Sequence, residues 1–145
     1  MKEKWTALVF ILIGSAGMSW FFVVHAENTV VRSPVAKVIG LTEEGKGYQR
    51  LLGGSPDSVT MHAGRVVLQS GETVGTHNTE NYEEILIILH GSGEMVITGS
   101  APLKLVTNSV AYCPPHTEHN VKNTGDCPLA YIYVASIAES GNEMP

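Results

Sequence analysis

Gly71-Glu72-Thr73-Val74-Gly75-Thr76-His77-Asn78-Thr79-Glu80-Asn81-Tyr82-Glu83-Glu84-Ile85-Leu86-Ile87-Ile88-Leu89-His90-Gly91 decides how this chain folds. Its first half is polar and broken by glycines, as a connecting loop is. Its second half, 82–90 (YEEILIILH), is a continuous apolar run bounded by glycine and too short for a helix of useful length, so it reads as a buried strand. Strand side chains alternate between faces. With Glu84 on the inner face, Leu86, Ile88 and His90 join it, and Glu83, Ile85, Ile87 and Leu89 point outward. Both faces are then apolar, and the outer one needs a cover. A second sheet layer or a partner subunit would supply it, which makes a homodimer the expected assembly.

Outward from this strand the pattern repeats. Strand-like runs lie at 59–69, 93–98, 103–107, 109–113, 118–123 and 129–137. Turn signals separate them at Ser70-Gly71, Gly91-Ser92-Gly93, Gly99-Ser100, Asn108 and Gly125-Asp126. Many short strands at regular spacing predict an all-β sandwich or closed barrel. Fifteen glycines, seven prolines and 43% apolar residues suit that class better than a helical bundle, and no amphipathic helix or internal repeat is present. The length of 145 residues predicts one domain. A net charge of −5 argues against nucleic acid or an anionic membrane surface as partner. Residues 27–58 read as an N-terminal extension with edge strands, containing turns at 42–47 and 51–58. The barrel is expected over 59–138, with a C-terminal tail at 139–145.

A second polar block, Pro114-Pro115-His116-Thr117-Glu118-His119-Asn120-Val121-Lys122-Asn123, follows the first across several strands. Together the two blocks resemble the cupin superfamily. The first is similar to its G-x5-H-x-H-x4-E-x6-G motif and the second to P-x-G-x2-H-x3-N, over about residues 60–138. Two positions depart: Thr79 stands where the family has its second His, and His116 where it has Gly. The resemblance implies a small jelly-roll β-barrel, the cupin-like double-stranded β-helix. It also implies one divalent metal ion (Zn, Mn, Fe, Ni or Cu) held by His77, Glu84 and His119. Thr79 would be a weak fourth contact, and Glu83 is the alternative to Glu84. The strand parity and the interval to Gly91 favour Glu84.

Two imidazoles and a carboxylate make a three-sided site that leaves positions for water or substrate. Thr79, Tyr131 and Tyr133 are the candidate pocket residues, the two tyrosines sharing one face of the last strand. Asn123 is expected to order the turn at Thr124-Gly125, and His116 to cap its loop. The superfamily hosts many chemistries, so two readings stay open. One is a metal-dependent dioxygenase, lyase or isomerase. The other is a non-catalytic metabolite- or sugar-binding module, with or without metal. Either takes a small-molecule ligand.

The N-terminal segment stands apart. Lys2 and Lys4 precede an uncharged run from Thr6 to Val24, and Val24-His25-Ala26 fits signal-peptidase cleavage. Residues 1–26 are therefore expected to be a signal peptide, which leaves the mature protein periplasmic or secreted and free of the membrane. An uncleaved anchor formed by residues 5–24 is the alternative. No Cys follows the run, so a lipoprotein anchor is excluded. Export would permit a disulfide between the chain's two cysteines, Cys113 and Cys127.

Overall fold

The computed structural model describes residues 7–13, 19–25, 33–42 and 47–138. The chain divides into two compact units, residues 1–32 and 33–145. In the first unit, strands β1 (Ala7–Ile13) and β2 (Ser19–His25) pair antiparallel from Ala7↔His25 to Ile13↔Ser19. No helix among the described residues is long and apolar enough to cross a membrane.

The second unit is all β. Its strands are β3 (Gly47–Gly53), β4 (His62–Leu68), β5 (His77–Asn78), β6 (Tyr82–His90), β7 (Ser92–Ile97), β8 (Leu103–Val106), β9 (Val110–Cys113), β10 (Glu118–Lys122) and β11 (Leu129–Ile137). They form a four-stranded sheet ordered β5-β10-β7-β8 and a five-stranded sheet ordered β3-β4-β11-β6-β9, with every pairing antiparallel. This is the all-β architecture expected of the pattern and the jelly-roll barrel that the resemblance implies. Within the N-terminal extension, β3 joins the larger sheet beside β4, and the described residues 33–42 form no strand. Residues 51–53, expected in a turn, complete that strand, and the turn begins at Gly54.

Period-2 alternation places the core between the sheets. Leu86 and Ile88 of β6 are each 1% exposed and pack with Met95, Leu105, Val121 and Leu129 from both sheets. Each such side chain contributes roughly 1.5–3 kcal/mol by leaving water. His90 is a correction: it is exposed, not inward-facing. The β11–β6 register shifts between Ala130 and Tyr131, so His90 opposes Ala130 while Ile88 opposes Tyr131. This irregularity breaks the alternation before His90.

Two residues lock the strand ends. Gly91 turns β6 into β7 at φ +82°, and a side chain there would fall within 2.9 Å of the Leu129 Cα. Only glycine meets both demands. Asn123 is fully buried; its Nδ2 donates to the carbonyls of Leu68 (2.8 Å) and Cys127 (2.9 Å), and its Oδ1 accepts from the Gly125 N–H (2.9 Å). It orders the turn anticipated for it and ties β4 to the β10–β11 connection.

The outer face of the larger sheet stays apolar and open at its β9 edge. Ile85 is 37% exposed, and its cross-strand partner Tyr112 is 51% exposed. Val110, opposite Ile87, is 65% exposed, and Leu89 is 38% exposed. Within one chain no second layer covers this face among the described residues.

Candidate functional site

Register across the larger sheet lines up three inward rungs. His62, Ala135, Glu84 and Cys113 form the first, on β4, β11, β6 and β9. Gly64, Tyr133, Leu86 and Ala111 form the second, and Val66, Tyr131 and Ile88 the third. The opposite sheet supplies the imidazoles, because His77 of β5 is the register partner of His119 of β10. Their ring centroids are 4.3 Å apart. The ligand atoms of His77, Glu84 and His119 all lie within 4.8 Å of one another. Two residues seven positions apart and a third from 35 residues further on, split between two sheets, thus meet in one place.

The hydrogen bonds around them set the tautomers. His77 Nδ1–H donates to the Gly75 carbonyl at 3.0 Å, which leaves Nε2 with its lone pair. His119 is 1% exposed; its Nδ1 lies 3.4 Å from the Thr117 carbonyl and 3.4 Å from the Cys113 sulfur. Its Nε2 lies 3.3 Å from Glu84 Oε2. Histidine ligands characteristically donate their second N–H to such a backbone carbonyl. Divalent ions bind imidazole and carboxylate at about 2.0–2.2 Å, which separates neighbouring donor atoms by roughly 3–4 Å. The donor set and its spacing therefore suit a divalent cation. The hydrogen bond to Glu84 holds the His119 imidazole above its ordinary pKa, against the opposing effect of burial. A cation would have to displace that proton.

The other candidates sort themselves by contact. Glu83 lies on the outer face, where its carboxylate accepts from Tyr112 Oη at 3.2 Å. Thr79 lines the site but is not placed as a ligand. Its buried hydroxyl donates to the Pro114 carbonyl (2.9 Å) and accepts from the Thr117 N–H (2.9 Å). It thus clamps the loop before β10 to the loop before β6. His116 stands in that loop at φ +56°, a left-handed backbone normally given to glycine, and its N–H donates to the Glu80 carbonyl at 2.8 Å. It caps the loop. The expected disulfide is absent: both cysteines are free, with Cys113 buried beside His119 and Cys127 exposed in a turn. Burial, with Glu84 nearby, pushes the Cys113 thiol up, so it stays protonated.

A cavity of about 500 Å³ opens over the three residues. That is ample for a small molecule. Tyr131 and Tyr133 line it, as does Thr79. Tyr48, His62 and Tyr82 also line it and were missed in the sequence. His62 was within reach, because counting back by twos from Leu68 through Val66 and Gly64 leads to it. Tyr48 was not, since its stretch shows no clear period. Tyr48 and Tyr133 stack, their hydroxyls 2.9 Å apart. Gly64 makes the room: a Cβ there would approach the Tyr48 ring to 2.5 Å and the Tyr133 ring to 2.7 Å. Burial pushes the Tyr131 and Tyr133 phenols well up, aided for Tyr133 by the Tyr48 hydrogen bond and for Tyr131 by the Glu84 charge.

Comparison with known proteins agrees with this architecture. Residues 64–135 match the family described as Cupin domain. A Cupin 2 conserved barrel domain protein from Salinispora arenicola is 24% identical, with a TM-score of 0.58 over 72% of this chain and 92% of that one. A cupin protein from Bacteroides fragilis superposes with a TM-score of 0.61 at 19% identity, covering 77% of this chain and 93% of the other. An RmlC-like cupin with a double-stranded β-helix fold, from Methanocaldococcus jannaschii, gives 0.60 at 18% identity, over 72% and 94% of the two chains. A search of curated proteins finds no match. The two gapped motifs, the two antiparallel sheets and the matched segment converge: this chain belongs to the cupin superfamily through the barrel domain that contains residues 64–135.

Proposed function

We propose that this protein is an exported, single-domain cupin that holds one divalent metal ion through His77, Glu84 and His119 and binds a small molecule in the barrel above it. The observation that carries this reading is the convergence of the three ligand atoms within 4.8 Å at the cavity. The histidine Nδ1 atoms face backbone carbonyls, which supports ligation through the remaining nitrogens.

The bound ion would act as a Lewis acid toward an oxygen of the ligand. His77, Glu84 and His119 would hold it, Thr79 would keep the neighbouring loops in register, and the tyrosines and valines would exclude water. No Lys or Arg lines the cavity among the described residues. A catalytic role as dioxygenase, lyase or isomerase and a role as non-catalytic binding module both use this arrangement. Oxygen consumption with candidate ligands would separate a dioxygenase from a binder.

Export is part of the proposal, supported by the Val24-His25-Ala26 site after an uncharged run. The mature chain would begin near Glu27. N-terminal sequencing tests this, and an intact Met1 in the membrane fraction would favour the anchor instead. The metal test is a thermal melt of wild type, His119→Ala and Glu84→Gln with and without Zn(II) or Mn(II). Wild type should gain a metal-dependent rise that both variants lose. No rise in wild type, or a full rise in both variants, would overturn the site.

A further inference from the structure

One stretch of the second unit lies outside its sheets. Residues 33–42 form no strand, and among the described residues their backbone makes no backbone–backbone hydrogen bond. Side chains tie this arm down instead. Lys37 Nζ meets Asp57 Oδ1 at 3.2 Å. The Gln49 side-chain amide grips the arm twice: its Nε2 donates to the Gly40 carbonyl and its Oε1 accepts from the Thr42 N–H, both at 2.9 Å. Tyr48 lines the cavity, so Gln49, the next residue of β3, belongs to the outer face of the larger sheet. The arm is therefore held on the outer side, at the β3 edge.

This tethered arm is apolar and unpacked. Val38 is fully exposed, Val35 is 73% exposed and Leu41 is 44% exposed. A second open apolar surface lies at the other end of the same sheet. Ile85, Val110 and Tyr112 are exposed on the outer face of β6 and β9, and β9 is the last strand of that sheet. The order β3-β4-β11-β6-β9 thus carries an apolar arm at one edge and an apolar patch at the other.

A twofold axis brings these two surfaces together. Two sheets stacked through their outer faces stand about 10 Å apart. Rotation about an axis parallel to the strands, midway between them, reverses the strand order, so the β3 edge of one copy faces the β9 edge of the other. Each arm then lies over the other copy's patch, and the contact is made twice, as an isologous interface requires. Every chain carries both halves of this contact, which points to a second copy and not to a different protein.

We propose that residues 33–42 are a docking arm, which in a homodimer joined through the larger sheets seats Val35 and Val38 on the β6–β9 patch of the partner subunit. The proposal rests on the homodimer expected from the two apolar faces of β6 and names what covers the open half of the outer one. Apolar surface leaving water on both sides of the contact drives the docking.

The test is light scattering of the full chain at micromolar concentration. Wild type should be a dimer. Val38→Glu and Val110→Lys should each be monomers, because each places an unpaired charge in the interface twice and weakens association by about a hundredfold or more. Mixed in equal amounts, these two variants should form a heterodimer: one contact pairs the new Glu with the new Lys, and the other contact is wild type on both sides. Val96→Glu, on the exposed side of the smaller sheet, should stay a dimer. A dimeric Val38→Glu beside a monomeric Val110→Lys would overturn the arm and leave the homodimer standing. A monomeric wild type would overturn both. A mixture that stays monomeric, or a monomeric Val96→Glu, would overturn the arm-to-patch contact. Melts check that each variant folds. If Val110→Lys melts early, Val38→Glu decides the arm's role by itself, because a fully exposed side chain packs against nothing in its own chain.

Discussion

His119 is where charge, burial and coordination meet. Its imidazole is raised in pKa chiefly by the hydrogen bond to Glu84. The sign for metal-free protein follows from linkage: a group raised on folding stabilises the native state below its unfolded value and loses that stabilisation as pH climbs through its native value. Metal-free protein should therefore lose stability as pH rises from about 6.5 upward, past the raised native value. Metal binding runs the other way, because the same proton must leave, so the zinc-dependent rise in Tm should grow over that window. Melts across pH with zinc or with chelator check both slopes, and Glu84→Gln should flatten the metal-free one. Thr79 offers a second residue-scale test. Its hydroxyl satisfies one half-buried carbonyl and one half-buried N–H, so Thr79→Val should cost about 1–3 kcal/mol in urea unfolding. Thr79→Ser should restore most of that stability, since it keeps the hydroxyl.

Among the elements, β6 and β11 carry the carboxylate and two of the cavity phenols, and their register decides which of their side chains see the cavity. The pairings Glu84↔Ala135, Leu86↔Tyr133 and Ile88↔Tyr131 put a carboxylate and two phenols on one face. The connection from β10 to β11 keeps that register through Asn123, which bonds to Leu68, Cys127 and Gly125. Asn123→Ala would leave three buried or half-buried backbone groups without this partner. We expect a loss of about 3 kcal/mol, read by chemical denaturation. Asn123→Asp should recover part of it through the acceptor to Gly125 alone. A neutral result for Asn123→Ala would show that water or a neighbouring group takes over those bonds.

At the scale of the whole molecule, a bound metal and a second copy would each add stability. An ion bound by both sheets would stabilise the native state by RT ln(1 + [L]/Kd), about 2.7 kcal/mol at a hundredfold excess over Kd. The apolar outer face of Ile85, Leu89, Val110 and Tyr112 is the surface a second copy would cover in the proposed homodimer. Light scattering of wild type should give a dimer at micromolar concentration, and Val110→Lys should give a monomer that still binds zinc. A wild-type monomer would remove the dimer.

The sequence by itself determined the class of fold and most of its strands. Alternation with period 2, broken by Gly-rich turns, allows little else, and the runs at 82–90 and 129–137 match β6 and β11 end to end. The resemblance to the cupin motifs also pointed to His77, Glu84 and His119, whose ligand atoms the structure brings within 4.8 Å of one another. Tertiary structure alone decided the rest. His90 is exposed beyond the point where the β6–β11 pairing skips Leu89, a register shift that simple alternation along β6 does not show. Thr79 became a loop clamp because Pro114 and Thr117 fold back onto it from 35 and 38 residues away. Cys113 and Cys127 stayed apart because one faces the core and the other a surface turn. Tyr48 and His62 reached the cavity only when β3 and β4 joined the sheet beside β11. In each case local pattern sets which way a side chain can point along its own strand, while register and loop return set what it meets there.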